Sequence, residues 1–379
     1  MIYLDNAATG GFKPNCVVSA ATAALAHAAN PGRSGHKLSL TCMEQVVAAR
    51  RLLNDFFCGY GFERVIFTKN CTEALNIALF SLPVDGIIIT TVAEHNSVLR
   101  PLEKLKNSGA KVEYVPLNSD GEIDLNILEM IVESAARSGM PLRAAAITLA
   151  SNVTGTAPDI VRVRKILPPD CLLICDGAQA CGHVRIDMGQ MGIDALAVAG
   201  HKGMLGIQGS GALLFSERFN PQPFMFGGTG SESYNLNMPD FYPDRLEAGT
   251  LNFPALISLA EGAGYLSQHL TSHKAIVESF TQRTIAGLKT IDGVEIFSRP
   301  NPFGIVAYRL KNMQSEVAAF ALSEEFDICV RGGLHCAPLM HRALGSDGLV
   351  RLSFSAFTPP VAVKETLNAT AVLSRRRFK

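Results

Sequence analysis

Between residues 64 and 215 short apolar runs alternate with helix-prone stretches, and that rhythm limits the folds open to the chain more than any other feature. Arg64–Thr68, Gly86–Thr91, Lys111–Pro116, Ala144–Leu149, Cys171–Cys175, Ala195–Val198 and Gly211–Phe215 read as strands. Helices are expected from Thr72, near Ser97–Asn107 and near 124–137. Strands that are apolar along their whole length are buried on both faces. The pattern therefore predicts an α/β fold with a mostly parallel, seven-stranded sheet covered by helices on both sides. Ligands of such sheets bind beyond the carboxyl ends of the strands.

The flanking segments read differently. Residues 1–9 look extended until Gly10-Gly11, and 15–29 and 39–57 look helical around the turn-rich loop Asn30–His36. Residues 220–250 form a long irregular excursion rich in Gly, Pro, Asn, Ser and Phe, of the kind that is functional or lies at an interface. Helices at 254–270, 273–290 and 314–326, strands at 294–297, 304–310, 328–331 and 349–355, and a last helix ending in Arg375-Arg376-Arg377 suggest a smaller α+β domain. A chain of 379 residues exceeds the usual size of one core. The expected division is a large domain at 15–255 and a small one made of 1–14 and 256–379.

The balance of 34 basic and 34 acidic residues gives no footprint for nucleic acid. No apolar run is long enough for a membrane span. Met1-Ile2-Tyr3-Leu4-Asp5 does not open a secretory signal, so a cytoplasmic protein free of membranes is expected. Nine cysteines, an odd number without such a signal, argue against a disulfide framework, and Cys171 and Cys175 read as core thiols.

Several polar residues collect at the carboxyl ends of the expected strands. Lys202 lies in Ala199-Gly200-His201-Lys202-Gly203, just after one of them. A desolvated amine loses its proton and becomes a nucleophile suited to a Schiff base with an aldehyde cofactor; taken alone, the residue reads more readily as a loop lysine. Asp176 ends the preceding strand. There a carboxylate can keep a pyridine nitrogen protonated, or simply cap a turn. Asn70-Cys71-Thr72-Glu73-Ala74 opens a helix whose free amides and hydroxyl suit a phosphate, although a capping box reads the same way. His95, in Glu94-His95-Asn96-Ser97, is placed to lie on a flat ring or to move protons. Asn152 is a further strand-end polar group. Together these residues ask for a flat, phosphorylated aldehyde, pyridoxal 5'-phosphate.

The motifs carry a resemblance. Tyr3-Leu4-Asp5-Asn6-Ala7-Ala8-Thr9, Thr72-Glu73-Ala74-Leu75-Asn76, Glu94-His95-Asn96, Ser151-Asn152-Val153-Thr154-Gly155, Asp176-Gly177-Ala178-Gln179, Gly200-His201-Lys202, Glu247-Ala248-Gly249-Thr250, Arg331 to Pro338 and Val350-Arg351-Leu352-Ser353 run in order over nearly the whole chain. In these the chain resembles the cysteine desulfurases, class V aminotransferase-group enzymes of fold type I that use pyridoxal phosphate. The resemblance implies that Lys202 bonds the cofactor, that Asp176 meets its ring nitrogen and that Gln179 meets its ring oxygen. Thr72 and His201 would hold the phosphate, joined by Thr250 from the other subunit of a homodimer whose active sites lie at the interface. His95 would stack on the ring and take part in proton transfer. Asn152 and Arg351 would hold the substrate carboxylate, Arg351 by a bidentate fork, with Arg331 and His36 at the substrate's edge.

Cys336 is set apart from the other thiols by Arg331, His335 and a Gly-Gly turn. A thiol beside basic groups is favoured as thiolate. The implied reaction converts L-cysteine to L-alanine, leaving a persulfide on Cys336 for an acceptor protein, as in sulfur mobilisation for iron–sulfur cluster assembly. The Arg-x-x-x-x-Cys-x-Pro spacing is nearest the Suf-type branch. Selenocysteine lyase is the neighbouring reading. An aminotransferase or lyase of the same group, with Cys336 incidental, is another, and a non-catalytic scaffold a third. One departure stands out: Ala199 occupies a position where the family commonly has a phosphate-binding hydroxyl.

Overall fold

A computed structural model describes residues 1–376; Arg377 of the basic terminus lies outside the described residues. The chain opens with β1 (Ile2–Tyr3), α1 (Asn15–Ala26) and α2 (Lys37–Phe56). The alternating stretch runs β2 (Val65–Thr68), α3 (Cys71–Phe80), β3 (Ile87–Thr91), α4 (Asn96–Asn107), β4 (Lys111–Val115), α5 (Leu125–Ser138) and β5 (Leu142–Thr148). It continues with α6 (Ile160–Ile166), β6 (Leu172–Asp176), α7 (Met188–Met191), β7 (Ala195–Ala199) and β8 (Gly211–Phe215). Then come α8 (Phe253–Leu288), β9 (Val294–Ile296), β10 (Ile305–Leu310) and α9 (Ser315–Phe326). The last elements are β11 (Ile328–Cys329), β12 (Arg331–Gly333), α10 (Pro338–Ala343), β13 (Leu349–Ser353) and α11 (Ala362–Ser374).

All seven expected strands join one sheet in the order β2-β8-β7-β6-β5-β3-β4. Every pairing is parallel except those of β8, which runs antiparallel to β2 and β7. Residues of β3, β7 and β8 are buried throughout, which accounts for the unbroken apolar sequence of β7 and β8 and the three isoleucines of β3. Alternate residues serve opposite cores: Ile87 and Ile89 join one cluster and Ile88 the other. A four-stranded sheet, β12-β13-β10-β9, and the pair β1-β11 complete the architecture. This is the fold-type I arrangement that the resemblance implies.

Three expectations are corrected. The helices expected at 254–270 and 273–290 are one helix of 36 residues, α8, because Leu270-Thr271-Ser272 contains no glycine or proline to end it. Its start is fixed by Asn252, whose side chain accepts from the amide of Ala255, and by Pro254 in the first turn. The strand expected at 328–331 is two strands: β11 lies parallel to β1 and β12 antiparallel to β13. The helix expected over 15–29 stops at Ala26. Residues 220–250 contain neither helix nor strand, as expected.

Candidate active site

The turn after β7 is shaped by glycine. A Cβ on Gly200 would lie 2.2 Å from Ser210 Oγ, and one on Gly203 would lie 2.4 Å from the Cys181 carbonyl oxygen. The backbone closes on itself, with Leu205 N–H donating to Lys202 O (3.0 Å) and Gly206 N–H to Gly200 O (2.8 Å). Lys202 is therefore held in a fixed place, half-buried, with its amine in the protein interior. Burial lowers its pKa, and Asp176 acts in the opposite direction.

Lys202 lines a cleft enclosing about 490 Å³ of empty space. Thr72, His95, Asn152, Asp176, Gln179 and His201 line it too, from the carboxyl ends of five strands, β2, β3, β5, β6 and β7. The sequence thus foresees seven residues that meet here. Asp176 combines both readings, since its Oδ1 accepts from the Ala178 amide (2.8 Å) and from Cys71 Sγ (3.4 Å) while it borders the cleft. Gln179 spends one N–H on the Ala7 carbonyl (2.9 Å) and keeps a second. Asn70 caps α3 by accepting from Glu73 N–H (2.9 Å), and Glu73 accepts from Lys69 N–H (2.6 Å), one residue before the cap, so the cap is real and the reciprocal bond is displaced by one residue. It leaves Thr72 exposed at the helix start.

His95 is the N-cap of α4. Its Nδ1 accepts from Ser97 N–H (3.1 Å) and lies 2.9 Å from Ser97 Oγ, and Ser97 Oγ lies 2.8 Å from Thr72 Oγ1. Burial lowers the His95 pKa. His201 is also kept uncharged, its pKa pushed down to about 4 by burial and then by Lys202 and Lys13. Its Nδ1 lies 3.1 Å from Thr9 Oγ1.

Arg351 is almost wholly buried. Its NH1 donates to the Asn152 carbonyl (2.9 Å), its NH2 pairs with Asp5 Oδ1 (2.9 Å), and its Nε–H has no partner among the described residues. A buried donor left unpaired is a place for a ligand oxygen. The Asn152 side chain turns the other way and donates to His335 O (2.8 Å), and Asn96 N–H donates to Cys336 O (2.8 Å). These bonds bring the cysteine loop to the cleft. His335 and Cys336 both take left-handed backbone, φ 51° and 57°.

One sequence inference about this loop is corrected. His335 offers the thiol no positive charge, because burial drives its pKa down to about 2 and leaves the ring neutral. The cation beside the exposed thiol is Arg331, with NH2 3.9 Å from Sγ.

Two residues stand apart from the cleft of their own chain. His36 is exposed and caps α2 by accepting from Ser39 N–H (3.2 Å). Thr250 is exposed and borders a different cavity, with Phe67 and Met225. Sequence reasoning overlooked Asp5, Cys71 and Ser97, although each lies inside or beside a motif already singled out.

The donor set fits pyridoxal phosphate: an amine whose pKa is lowered by desolvation, a carboxylate in the same cleft, a spare amide N–H and hydroxyl-bearing helix starts. Fold and site define a fold-type I enzyme of the pyridoxal-phosphate type. The family model for class-V aminotransferases matches residues 2–364. A protein of Methanothermobacter thermautotrophicus named "Probable cysteine desulfurase" is 31% identical, with 98% of this chain and 94% of that protein covered. A cysteine desulfurase of Thermococcus onnurineus superposes with a TM-score of 0.88 at 29% identity, covering 99% of this chain and 94% of that one. One from Escherichia coli gives 0.86 at 27% identity, covering 97% and 93%. The chain belongs to the class-V aminotransferase family, and within it to the cysteine desulfurase group.

Proposed function

We propose that the protein is a pyridoxal-phosphate-dependent cysteine desulfurase that converts L-cysteine to L-alanine and receives the sulfur on Cys336. The observation that carries this reading is the placement of Cys336: exposed, in left-handed backbone, and tied through Asn96 and Asn152 to the cleft of Lys202. Lys202 would bond the cofactor, Asp176 and Gln179 would orient its ring, and Thr72 and His201 would hold its phosphate. The bound cofactor supplies the electron sink.

Lys202, an amine made available by burial, and the neutral His95 carry protons to and from the reacting carbons. The Arg351 Nε–H binds the substrate carboxylate, with Asn152 and Arg331 beside it. The Cys336 thiolate attacks the substrate sulfur, the carbon–sulfur bond breaks, and the electron pair stays with the carbon that becomes the alanine methyl. A thiol and cysteine thus become a persulfide and alanine, with no external oxidant. An acceptor thiol then takes the sulfur, which suits a short cysteine loop of the Suf type.

The working unit in this reading is a homodimer. Phe224, Phe226, Tyr234 and Leu236 are exposed on the irregular excursion, an apolar surface that calls for a cover. A two-fold partner would bring Thr250 to the phosphate site of the other subunit and His36 to the edge of the substrate. The domains divide at 15–255 and 1–14 with 256–379. No helix among the described residues is long and apolar enough to cross a membrane, and a cytoplasmic location fits the reading.

The test is incubation with L-cysteine, following alanine and sulfide with and without a thiol acceptor, for wild type and Cys336→Ala. Alanine formation should collapse in the variant. Undiminished turnover would remove the persulfide step. Alanine from selenocysteine but not from cysteine would make the enzyme a selenocysteine lyase.

A further inference from the structure

Thr72, Ser97 and His95 form a chain of three side chains along the cleft, with Thr72 Oγ1 and Ser97 Oγ 2.8 Å apart and Ser97 Oγ 2.9 Å from His95 Nδ1. Ala199 lines the same cleft and brings no hydroxyl to it. Each hydroxyl has one proton, so a chain of this kind runs in one of two directions. In the first, Thr72 donates to Ser97 and Ser97 donates to His95 Nδ1, which is therefore the unprotonated nitrogen. The amide of Ser97, also donating to Nδ1, favours this direction. Thr72 then has no proton to offer an anion.

In the second direction Thr72 donates outward. Ser97 must then donate to Thr72, and the His95 Nδ1–H must donate to Ser97. The imidazole is neutral in either case, because its burial disfavours the charged form. Reversal of the chain therefore exchanges the two neutral tautomers, gives up the bond from the Ser97 amide to Nδ1, and leaves Nε2 unprotonated, as a base.

We propose that Ser97 is a positioning residue: its hydroxyl presents the Thr72 proton to the cofactor phosphate and, in doing so, sets the tautomer of His95. The phosphate and the ring-stacking base are thereby coupled through one serine at the start of α4. The inference rests on the reading of Thr72 as a phosphate ligand, and the experiment separates the two.

Affinities of the apoprotein for pyridoxal phosphate and for pyridoxal, which has no phosphate, are measured for wild type, Ser97→Ala, Ser97→Thr and Thr72→Ala. In parallel, the 15N shifts of His95 in the apoprotein are recorded with and without inorganic phosphate. Ser97→Ala should bind pyridoxal phosphate about tenfold more weakly, equivalent to ~1.4 kcal/mol, with pyridoxal affinity unchanged. Ser97→Thr should recover most of the loss. Phosphate should move the His95 proton from Nε2 to Nδ1 in wild type and leave it on Nε2 in Ser97→Ala. Equal losses for both ligands, no loss, or a wild-type tautomer indifferent to bound phosphate overturns the proposal. If Thr72→Ala also fails to distinguish the two ligands, the phosphate reading of Thr72 falls with it; if it does distinguish them, only the role of Ser97 falls.

Discussion

Gly262 lies in the interior of α8, where replacing glycine by alanine ordinarily stabilises a helix by about 1 kcal/mol. Here the sign should reverse. A Cβ at 262 would stand 2.1 Å from the carbonyl oxygen of Met204 and 3.3 Å from its carbonyl carbon. An ordinary carbon–oxygen contact is about 3.3 Å, so helix and turn must part by roughly 1 Å. The turn cannot yield locally, since Leu205 N–H is bonded to Lys202 O and Gly206 N–H to Gly200 O. The displacement therefore reaches Lys202. Overpacking of this kind costs about 1–3 kcal/mol, and with backbone on both sides the upper end applies. After the helix-propensity gain, a net loss of about 2 kcal/mol remains. Gly264 is the internal control, because its Cβ would meet only the Leu52 side chain at 3.6 Å, an ordinary contact. Urea unfolding of the apoprotein should show Gly262→Ala destabilised and Gly264→Ala unchanged or stabilised. Borohydride trapping of pyridoxal phosphate should be at least tenfold slower in Gly262→Ala alone, since misplacement by about 1 Å is costly. A stabilised Gly262→Ala with normal trapping would refute the claim that α8 sets the position of the lysine.

Two further predictions concern buried charge. Between the lowered pKa of Lys202 and the ordinary lysine value of about 10.4, the unfolded chain binds more protons than the folded one, so its contribution to stability rises with pH. Lys202→Met removes that rise. The variant apoprotein should be more stable than wild type at pH 7, and its advantage should shrink toward pH 10; an advantage independent of pH would contradict burial of the amine. Glu247→Ala should cost about 3–5 kcal/mol in urea unfolding, because Arg50 and Glu247 are 4% and 6% exposed. Glu247 Oε1 also accepts from Arg50 NH1 (2.8 Å) and from the Phe67 amide (2.6 Å). The double variant Arg50→Met, Glu247→Ala should recover part of the loss, and a single-variant cost under about 1 kcal/mol would show that the pair is not desolvated.

The parallel sheet was legible because burial on both faces forces unbroken apolar strands, as in Ala195–Ala199. The residues at the strand ends were legible because that topology gathers them in space whatever their distance in sequence. What escaped was of two kinds. Helix continuity across Leu270-Thr271-Ser272 is decided by packing along α8, and residues of middling propensity give it no local mark. Side-chain partnership across the chain is equally silent in sequence. Nothing near Arg351 announces that Asp5, 346 residues away, will take its NH2. Nothing near His335 reveals that its ring is buried and held neutral, so proximity in sequence to Cys336 gave the wrong cation and Arg331 the right one.

The cysteine loop shows how these distant contacts govern function. Left-handed backbone at a residue with a side chain costs about 1–2 kcal/mol, and His335 and Cys336 adopt it in succession. Each presents its carbonyl to the site, one to the Asn152 side chain and the other to the Asn96 amide, both at 2.8 Å. Two such hydrogen bonds contribute about 0.5–1.5 kcal/mol each, which is close to the backbone cost. These bonds offset the backbone cost, and the burial of His335 and Ala337 holds the loop further. Asn152 is in turn fixed through its own carbonyl by Arg351, whose second arm grips Asp5 at the opposite end of the chain. In the proposed reading a substrate carboxylate on Arg351 would meet the same guanidinium that holds Asn152, and Asn152 in turn holds the His335 carbonyl next to Cys336.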